Sequence, residues 1–180
     1  KEFLCYMEYF ESILENISAY DGFDVYGHID YVVRYGPNRN REYSYGRYKD
    51  ILDEILKKLI SMGKGIELNT GGYHYGLGEP NPCTAVIRRY RELGGEIITI
   101  GADAHTPDKI ACAFDKAASV LEACGFRYYT IFKTVTGIYF SVKRVNTCLY
   151  GSSYNIILHM ISEAQFPNCS KYCFSDLHHS

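Results

Sequence analysis

The chain has 180 residues, enough for one domain with a buried core, and 47% of them are hydrophobic while 22% are charged. Its formal net charge of -2 gives no electrostatic case for a nucleic-acid or membrane partner, and no apolar run is long enough to cross a bilayer. The seven cysteines are an odd number, and Cys5, Cys112 and Cys124 lie in apolar helical patterns, so we expect buried free thiols in a reducing cytoplasm.

The first third of the chain predicts a helix, a strand, a loop and a second helix. Apolar residues recur at helical spacing over residues 3–19, and a short apolar strand follows at residues 23–29. An arginine-rich polar loop at residues 34–46 leads into a helix at about residues 47–62. Because the sequence opens on Lys1 instead of an initiator methionine, we expect it to begin inside a longer reading frame. Lys1 leads directly into a helical pattern without a signal peptide, so we expect a cytoplasmic protein.

The middle of the chain repeats this alternation of strand and helix. A strand at residues 65–69 precedes a glycine-rich loop at residues 71–78, and Pro82 then starts a helix that closes at Gly94. Strands that alternate with helices predict parallel βα units.

A third strand is predicted at residues 96–101. Thr106 and Pro107 provide the N-cap and first position of a helix that continues to Gly125. Two further strands rich in tyrosine, isoleucine, phenylalanine and valine follow at residues 128–133 and 138–142.

After residue 143 the alternation stops, so we expect residues 1–143 to form one domain and residues 144–180 a tail, with a possible helix at residues 154–164. The tail also contains four potential zinc ligands, Cys169, Cys173, His178 and His179. We reject a zinc site because these residues lack the spacing of a zinc finger.

Polar side chains that can bind a metal ion follow the three predicted parallel strands. His28, Asn69 and Asp103 each come at the carboxyl end of one strand, and His105 follows Asp103 by two positions. The carboxyl ends of such strands gather the active site in parallel α/β folds. Imidazole nitrogens and a carboxylate aimed at one point suit a divalent cation, so the sequence predicts a metal site there.

Three of these residues also have structural interpretations, which the sequence leaves open. Asp103 could cap the next helix, with His105 as an ordinary loop residue. Asn69 could satisfy the backbone of the loop that follows its strand.

A set of motifs then occurs in a specific order. They are Gly-His-Ile-Asp at residues 27–30 with Arg-Tyr-Gly at 34–36, Glu-Leu-Asn-Thr at 67–70, Gly-Glu-Pro-Asn-Pro at 78–82, and Ile-Gly-Ala-Asp-Ala-His at 100–105. Together they resemble the PHP (polymerase and histidinol phosphatase) metal-dependent phosphoesterases, and within these the histidinol-phosphate phosphatases of histidine biosynthesis. The resemblance spans about residues 1–142.

This resemblance implies a fold and a metal centre. The family's fold is a distorted (β/α)7 barrel, so residues 1–143 would form the C-terminal portion of a PHP domain, a partial TIM-like barrel of parallel strands with outer helices. The resemblance makes His28, Asp103 and His105 metal ligands and gives Asp103 and His105 the catalytic role. It implies divalent metals, up to three in the complete family site, and these ligands suit Zn, Mn and Fe alike.

The resemblance also implies a substrate, a small phosphorylated metabolite. Arg34 is expected to pair with its phosphate, because a guanidinium binds phosphate oxygens bidentately. Asn69 and His74 are the further substrate-binding candidates. The implied reaction is hydrolysis of L-histidinol phosphate to L-histidinol by a metal-bound water, without a phosphoenzyme. The oligomeric state stays open.

Three departures from the family pattern keep alternatives open. The family's opening segment, with its His-x-His motif and further ligands, is absent, His74 occupies a position where an arginine is expected, and Ala102 replaces a common serine. The chain could therefore act on another phosphoester. It could also be a catalytically silent fragment or an interaction module that lacks the N-terminal metal ligands.

Overall fold

The computed structural model describes residues 2–133 and 136–141. The predicted boundary at residue 143, the tail at residues 144–180 and the helix expected at residues 154–164 lie outside the described residues. So do the residues of the rejected zinc site, Cys169, Cys173, His178 and His179.

Helices and strands alternate along the described chain. In order they are α1 (Glu2–Ala19), β1 (Val25–Tyr26), α2 (Lys49–Ser61), β2 (Gly65–Asn69), α3 (Gly71–His74), α4 (Thr84–Glu92), β3 (Ile98–Gly101), α5 (Phe114–Ala123), β4 (Tyr128–Lys133) and β5 (Thr136–Ser141). Short 3₁₀ helices occupy the connections at Tyr31–Tyr35, Arg39–Arg41, Tyr45–Tyr48 and Pro107–Lys109.

The first three strands form a parallel sheet in the order β1-β2-β3, with Val25 opposite Gly65 and Asn69 opposite Gly101. This confirms the expected α/β class with parallel strands. β4 and β5 instead pair with each other as an antiparallel hairpin. Only two residues separate them, and a connection that short joins antiparallel strands, whereas a parallel pair needs a long crossover.

The core lies between the helices and one face of this sheet. Ile66 and Leu68 of β2 are fully buried in the same cluster as the inward residues of the helices. Those residues are Phe10, Ile13 and Ile17 of α1, Leu52, Ile55, Leu56 and Leu59 of α2, and Val86, Ile87 and Tyr90 of α4. Because side chains alternate along a strand, Glu67 and Asn69 project from the opposite face of β2.

Several element boundaries differ from the sequence-based expectation. β1 has two residues instead of seven, and the loop predicted at residues 71–78 begins with the single turn of α3. α4 begins at Thr84 rather than at Pro82, because the backbone of Asn81 is hydrogen-bonded to Asn69 and cannot join the helix.

The helix predicted from Pro107 to Gly125 is interrupted. A 3₁₀ turn covers Pro107–Lys109, and Ala111 and Ala113 have left-handed backbones with φ of 56° and 58° before α5 begins. Two residues with left-handed backbones, separated only by Cys112, cannot belong to a right-handed helix. Thr106 does occupy the N-cap position and Pro107 the first position, although the Thr106 side chain makes no capping hydrogen bond.

The cysteines in the described part of the chain are free thiols, Cys83 and Cys124 buried and Cys5 and Cys112 only partly buried, so the burial expected for Cys5 and Cys112 is incomplete. Among the described helices, none is both long and apolar enough to cross a membrane.

Candidate active site

The carboxyl ends of the three parallel strands lie along one edge of the sheet. His28 follows β1, Asn69 ends β2, and Asp103 follows β3 by two residues. The structure therefore places these predicted site residues on adjacent strand ends. β3 itself ends at Gly101, so Asp103 and His105 lie beyond the strand, and the alternation of side chains along β3 does not set their directions.

The backbones at His28 and Asp103 are left-handed, with φ of 32° and 49°. Positive φ is uncommon outside glycine, although histidine and aspartate adopt it several-fold more often than average. Such strained positions persist where surrounding contacts hold them, and they concentrate at binding and catalytic sites. Here the left-handed turns set the directions of two predicted metal ligands.

The Asp103 carboxylate joins two of the other predicted site residues. Arg34 Nη1 donates a hydrogen bond to Asp103 Oδ2 at 3.2 Å, and His105 Nε2 lies 3.4 Å from Oδ1. The side chains of Arg34 and Asp103 are 15% and 11% exposed, whereas that of His105 is 71% exposed. Asp103 thus forms a mostly buried ion pair, and the capping alternative is wrong because Thr106 holds the N-cap position.

Three tyrosine rings surround the Arg34 guanidinium. Its central carbon lies 5.3 Å from the ring centre of Tyr31, 4.7 Å from that of Tyr35 and 4.2 Å from that of Tyr75. Arg34 Nη2 also donates a hydrogen bond to the Tyr35 hydroxyl. Cation–π contacts of this kind fix the plane of the guanidinium.

His28 packs against the same aromatic group. Its ring centre lies 4.8 Å from that of Tyr31, and its Nδ1 atom is buried without a hydrogen-bond partner among the described residues. A buried polar atom of this kind calls for a ligand, since leaving it unpaired is costly. A neutral imidazole nitrogen is a good ligand for a divalent cation.

Asn69 makes the backbone contact that its structural interpretation predicted. Its Oδ1 accepts a hydrogen bond from the Gly71 N–H at 2.8 Å, and its Nδ2 donates to Glu67 Oε2 at 3.0 Å. His74 is the last residue of α3 and is exposed, with its ring centre 5.3 Å from that of Tyr75. It therefore borders the aromatic group around Arg34.

Two acidic residues at this edge, Glu67 and Asp30, were not predicted as site residues from the sequence. Both Glu67 and Asp30 belong to the motifs of the family resemblance, which gives neither of them a role. Asp30 is fully buried, and it accepts hydrogen bonds from Asn81 Nδ2 at 2.8 Å and from the Cys83 N–H at 2.7 Å. Burial raises the pKa of its carboxyl to about 6.

Asp30 supports the site through Asn81. The Asn81 N–H and C=O both pair with the backbone of Asn69, at 2.9 and 2.8 Å. The loop before α4 is thereby fastened to the end of β2. An acidic residue two positions after His28 was the available sequence signal for Asp30.

The donor atoms suit a divalent cation in kind, since the edge offers two imidazoles and a carboxylate. Within the described residues, however, no three histidine, cysteine, aspartate or glutamate side chains are grouped closely enough to hold one metal ion. His28, Asp103 and His105 stay predicted ligands that share an edge of the sheet.

Comparison with known proteins relates this chain to the PHP domain and to histidinol-phosphatases. The PHP domain family matches residues 1–71. A probable histidinol-phosphatase of Clostridium acetobutylicum is 34% identical over 122 residues, which are 66% of this chain and 46% of that protein. The histidinol-phosphatase of Lactococcus lactis is 30% identical over 125 residues, 69% of this chain and 46% of that protein.

A solved structure extends the likeness to the fold. The crystal structure of histidinol phosphate phosphatase from Lactococcus lactis, complexed with zinc, L-histidinol and phosphate, superimposes with a TM-score of 0.69 at 27% identity. The match covers 77% of this chain and 52% of that one. This chain therefore spans about half the length of the relatives it matches, and its fold is that of a partial PHP-type barrel.

Proposed function

Since the chain belongs to the PHP-domain family, we propose that it hydrolyses a phosphomonoester and that the substrate is L-histidinol phosphate, which yields L-histidinol and phosphate. The observation that carries the proposal is the shared strand edge, where Asp103 holds Arg34 and Tyr31 contacts both Arg34 and His28. His28 Nδ1 is buried there without a hydrogen-bond partner in the described part of the chain. The curated relatives are a histidinol-phosphatase and a probable histidinol-phosphatase. In this proposal the reaction belongs to histidine biosynthesis and takes place in the cytoplasm.

Each predicted site residue has a role in this proposal. His28, Asp103 and His105 would hold a divalent metal, Zn, Mn or Fe, and the complete site would hold up to three such ions. When bound, the metal lowers the pKa of a water molecule and neutralises charge on the phosphoryl oxygens. Asp103 and His105 are the proposed catalytic residues.

The remaining residues bind and orient the substrate. Arg34 would offer its planar donors to two phosphate oxygens once a cation replaces it at Asp103. Asn69 and His74 would contact the rest of the substrate, with His74 at the exposed side of the aromatic group. Asn69 and Asp30 keep the neighbouring loops in place.

A second candidate is a chain that keeps the fold without the activity. The absence of a three-residue metal group among the described residues favours it. This hypothesis predicts that the chain neither binds a divalent metal nor releases phosphate.

Phosphate release from L-histidinol phosphate tests the proposal, with Zn²⁺, Mn²⁺ or Fe²⁺ added in turn and other phosphomonoesters measured beside it. The Asp103→Asn variant should lose at least tenfold in kcat/KM, because the amide is a poor metal ligand and a poor partner for Arg34. Asp108→Asn, at an exposed position of the same segment, is the matched control and should keep the wild-type rate. Equal rates for the two variants would contradict the assignment of Asp103, and no release with any metal would refute the activity.

A further inference from the structure

Glu67 occupies the centre of the strand edge without an assigned role. It lies on β2, the middle strand, and projects from the face opposite the buried Ile66 and Leu68. Its side chain is partly buried.

Two glycines make room for the Glu67 carboxylate. A Cβ added at Gly101 would lie 2.0 Å from Glu67 Oε1, and one added at Gly27 would lie 3.3 Å from Oε2. The first distance is impossible for real atoms and the second is tight. One carboxylate oxygen of Glu67 therefore lies next to Gly101 at the end of β3, and the other lies next to Gly27 just after β1. The carboxylate is thus located between the strands that lead to His28 and Asp103.

The Glu67 carboxylate is also held in orientation. Asn69 Nδ2 donates to Oε2 at 3.0 Å, and the Asn69 amide cannot flip without losing this bond and the one from the Gly71 N–H. A fixed carboxylate loses little further side-chain entropy when it binds a ligand.

Glu67 has no counter-charge among the described residues. The ion pairs there involve other carboxylates, and Asp103 is neutralised by Arg34 whereas Glu67 has only the neutral amide of Asn69. A partly buried anion with a single neutral donor favours a cation as its next partner. His28, one residue beyond Gly27, lies at the same strand end, and its buried Nδ1 has no hydrogen-bond partner in residues 2–133 and 136–141.

We propose that Glu67 is a cation-binding carboxylate of this site. The proposal rests on the proposed function and deepens it, because it names the group that receives positive charge. Two sources carry that chemistry, a divalent metal ion and the ammonium group of an amino-alcohol such as L-histidinol. Both would bind at the carboxylate between Gly27 and Gly101.

Isothermal titration calorimetry on the full 180-residue chain separates these sources, with ZnCl2 alone in one arm and L-histidinol alone in the other. The Glu67→Gln variant keeps the shape of the side chain and the acceptor for Asn69 but removes the charge. We expect this variant to bind either Zn²⁺ or L-histidinol at least tenfold more weakly than the wild-type chain does. Glu11→Gln, at an exposed position of α1, is the matched control and should change neither affinity by more than twofold.

A second variant tests whether the Glu67 carboxylate needs the space left by the missing side chain at Gly101. Gly101→Ala places a methyl group where the carboxylate lies and should weaken the binding of the same probe that Glu67→Gln affects. Circular dichroism verifies that both variants are folded. The proposal is overturned if the wild-type chain binds neither probe, or if Glu67→Gln binds both as tightly as wild type. Phosphate release is measured separately, so a chain with Glu67-dependent binding and no hydrolysis would refute only the proposed function.

Discussion

The Arg34 side chain is held by its neighbours before any substrate arrives. Tyrosine rings from two loops pack around the guanidinium, and the mostly buried Asp103 fixes one edge of it. A lysine could not reproduce this arrangement, because an ammonium has neither the plane nor the fork of donors. The tyrosine rings would still hold the guanidinium once a cation replaces it at Asp103, so the ordering cost of binding phosphate is low for Arg34.

Replacing Arg34 by glutamine should weaken the binding of inorganic phosphate by about tenfold to about a hundredfold, the usual effect of losing hydrogen bonds to a charged group. Titration calorimetry with phosphate, in the presence of a divalent metal, measures the change. Arg41→Gln is the control, since Arg41 is an exposed arginine of the same loop. An equal loss in both variants would show that only net charge matters and would contradict the role of Arg34.

The residues that sequence analysis identified share a simple signal, a polar group directly after an apolar strand. The structure places His28, Asn69 and Asp103 at or just beyond the ends of adjacent strands, and their functional roles stay predictions. The sequence signal missed Glu67, because a single acidic residue inside a strand is common on an exposed face. Its environment depends on the register that brings Gly27 and Gly101 to either side, and register across parallel strands is a tertiary property.

At the scale of elements, a bidentate ion pair joins α2 to α4. Arg89 donates to Asp53 through Nε at 3.0 Å and Nη2 at 2.7 Å, and the Tyr45 hydroxyl donates to the same carboxylate at 2.6 Å. Asp53 is 7% exposed, so its charge is poorly solvated without these donors. The Arg89 hydrogen bonds hold the pKa of the Asp53 carboxyl below its ordinary value of 3.8.

This lowered pKa determines the pH dependence of the pair. The folded state holds the ionised carboxylate more favourably than the unfolded state, so the pair's stabilisation is complete above the unfolded pKa of about 4. It is lost as the pH falls through the lower folded pKa. We expect Asp53→Asn to reduce the free energy of unfolding by about 1–3 kcal/mol at pH 7, and the difference from wild type to shrink below about pH 4.

Urea unfolding at pH 7 and at pH 3 measures that difference. Glu54→Gln, at an exposed position of α2, serves as the matched control. A destabilisation of Asp53→Asn that stays constant down to pH 3 would mean that packing, rather than the ion pair, is responsible.

The start of α5 illustrates how a tertiary contact overrides a helical pattern. The apolar spacing after Pro107 predicts a continuous helix, yet Thr70 Oγ1 donates to the Cys112 carbonyl at 2.6 Å and fastens this turn to the end of β2. The Cys112 carbonyl therefore lies in a turn, with left-handed backbones at Ala111 and Ala113 on either side of it, and the helix starts only after this turn. Sequence periodicity gives the amphipathic face of a segment but contains no information about such a distant partner.

At the scale of the whole molecule, the chain carries about half of the length over which its relatives extend. Its sheet nevertheless presents three adjacent strand ends with the predicted site residues on them. The hydrophobic core and the buried Asp30 network hold this edge in place through contacts within the chain. The metal site can therefore be tested on the chain by its effect on stability.

A metal that binds only the folded chain must raise its melting temperature by mass action. At a concentration a hundred times the dissociation constant, the stabilisation is about 2.7 kcal/mol, which corresponds to about 5–10 °C for a chain of this size. We expect Zn²⁺ to produce such a shift and EDTA to reverse it. Ca²⁺, which prefers oxygen ligands over imidazole, should have little effect.

The His28→Gln variant makes this melting experiment specific to the strand edge. It removes the buried imidazole nitrogen that lacks a partner, so the zinc-induced shift should fall to less than half of the wild-type value. Glu15→Gln, on the exposed side of α1, should retain the full shift. If His28→Gln is stabilised by zinc as strongly as wild type, the metal binds elsewhere on the chain, and the ligand role of His28 is refuted.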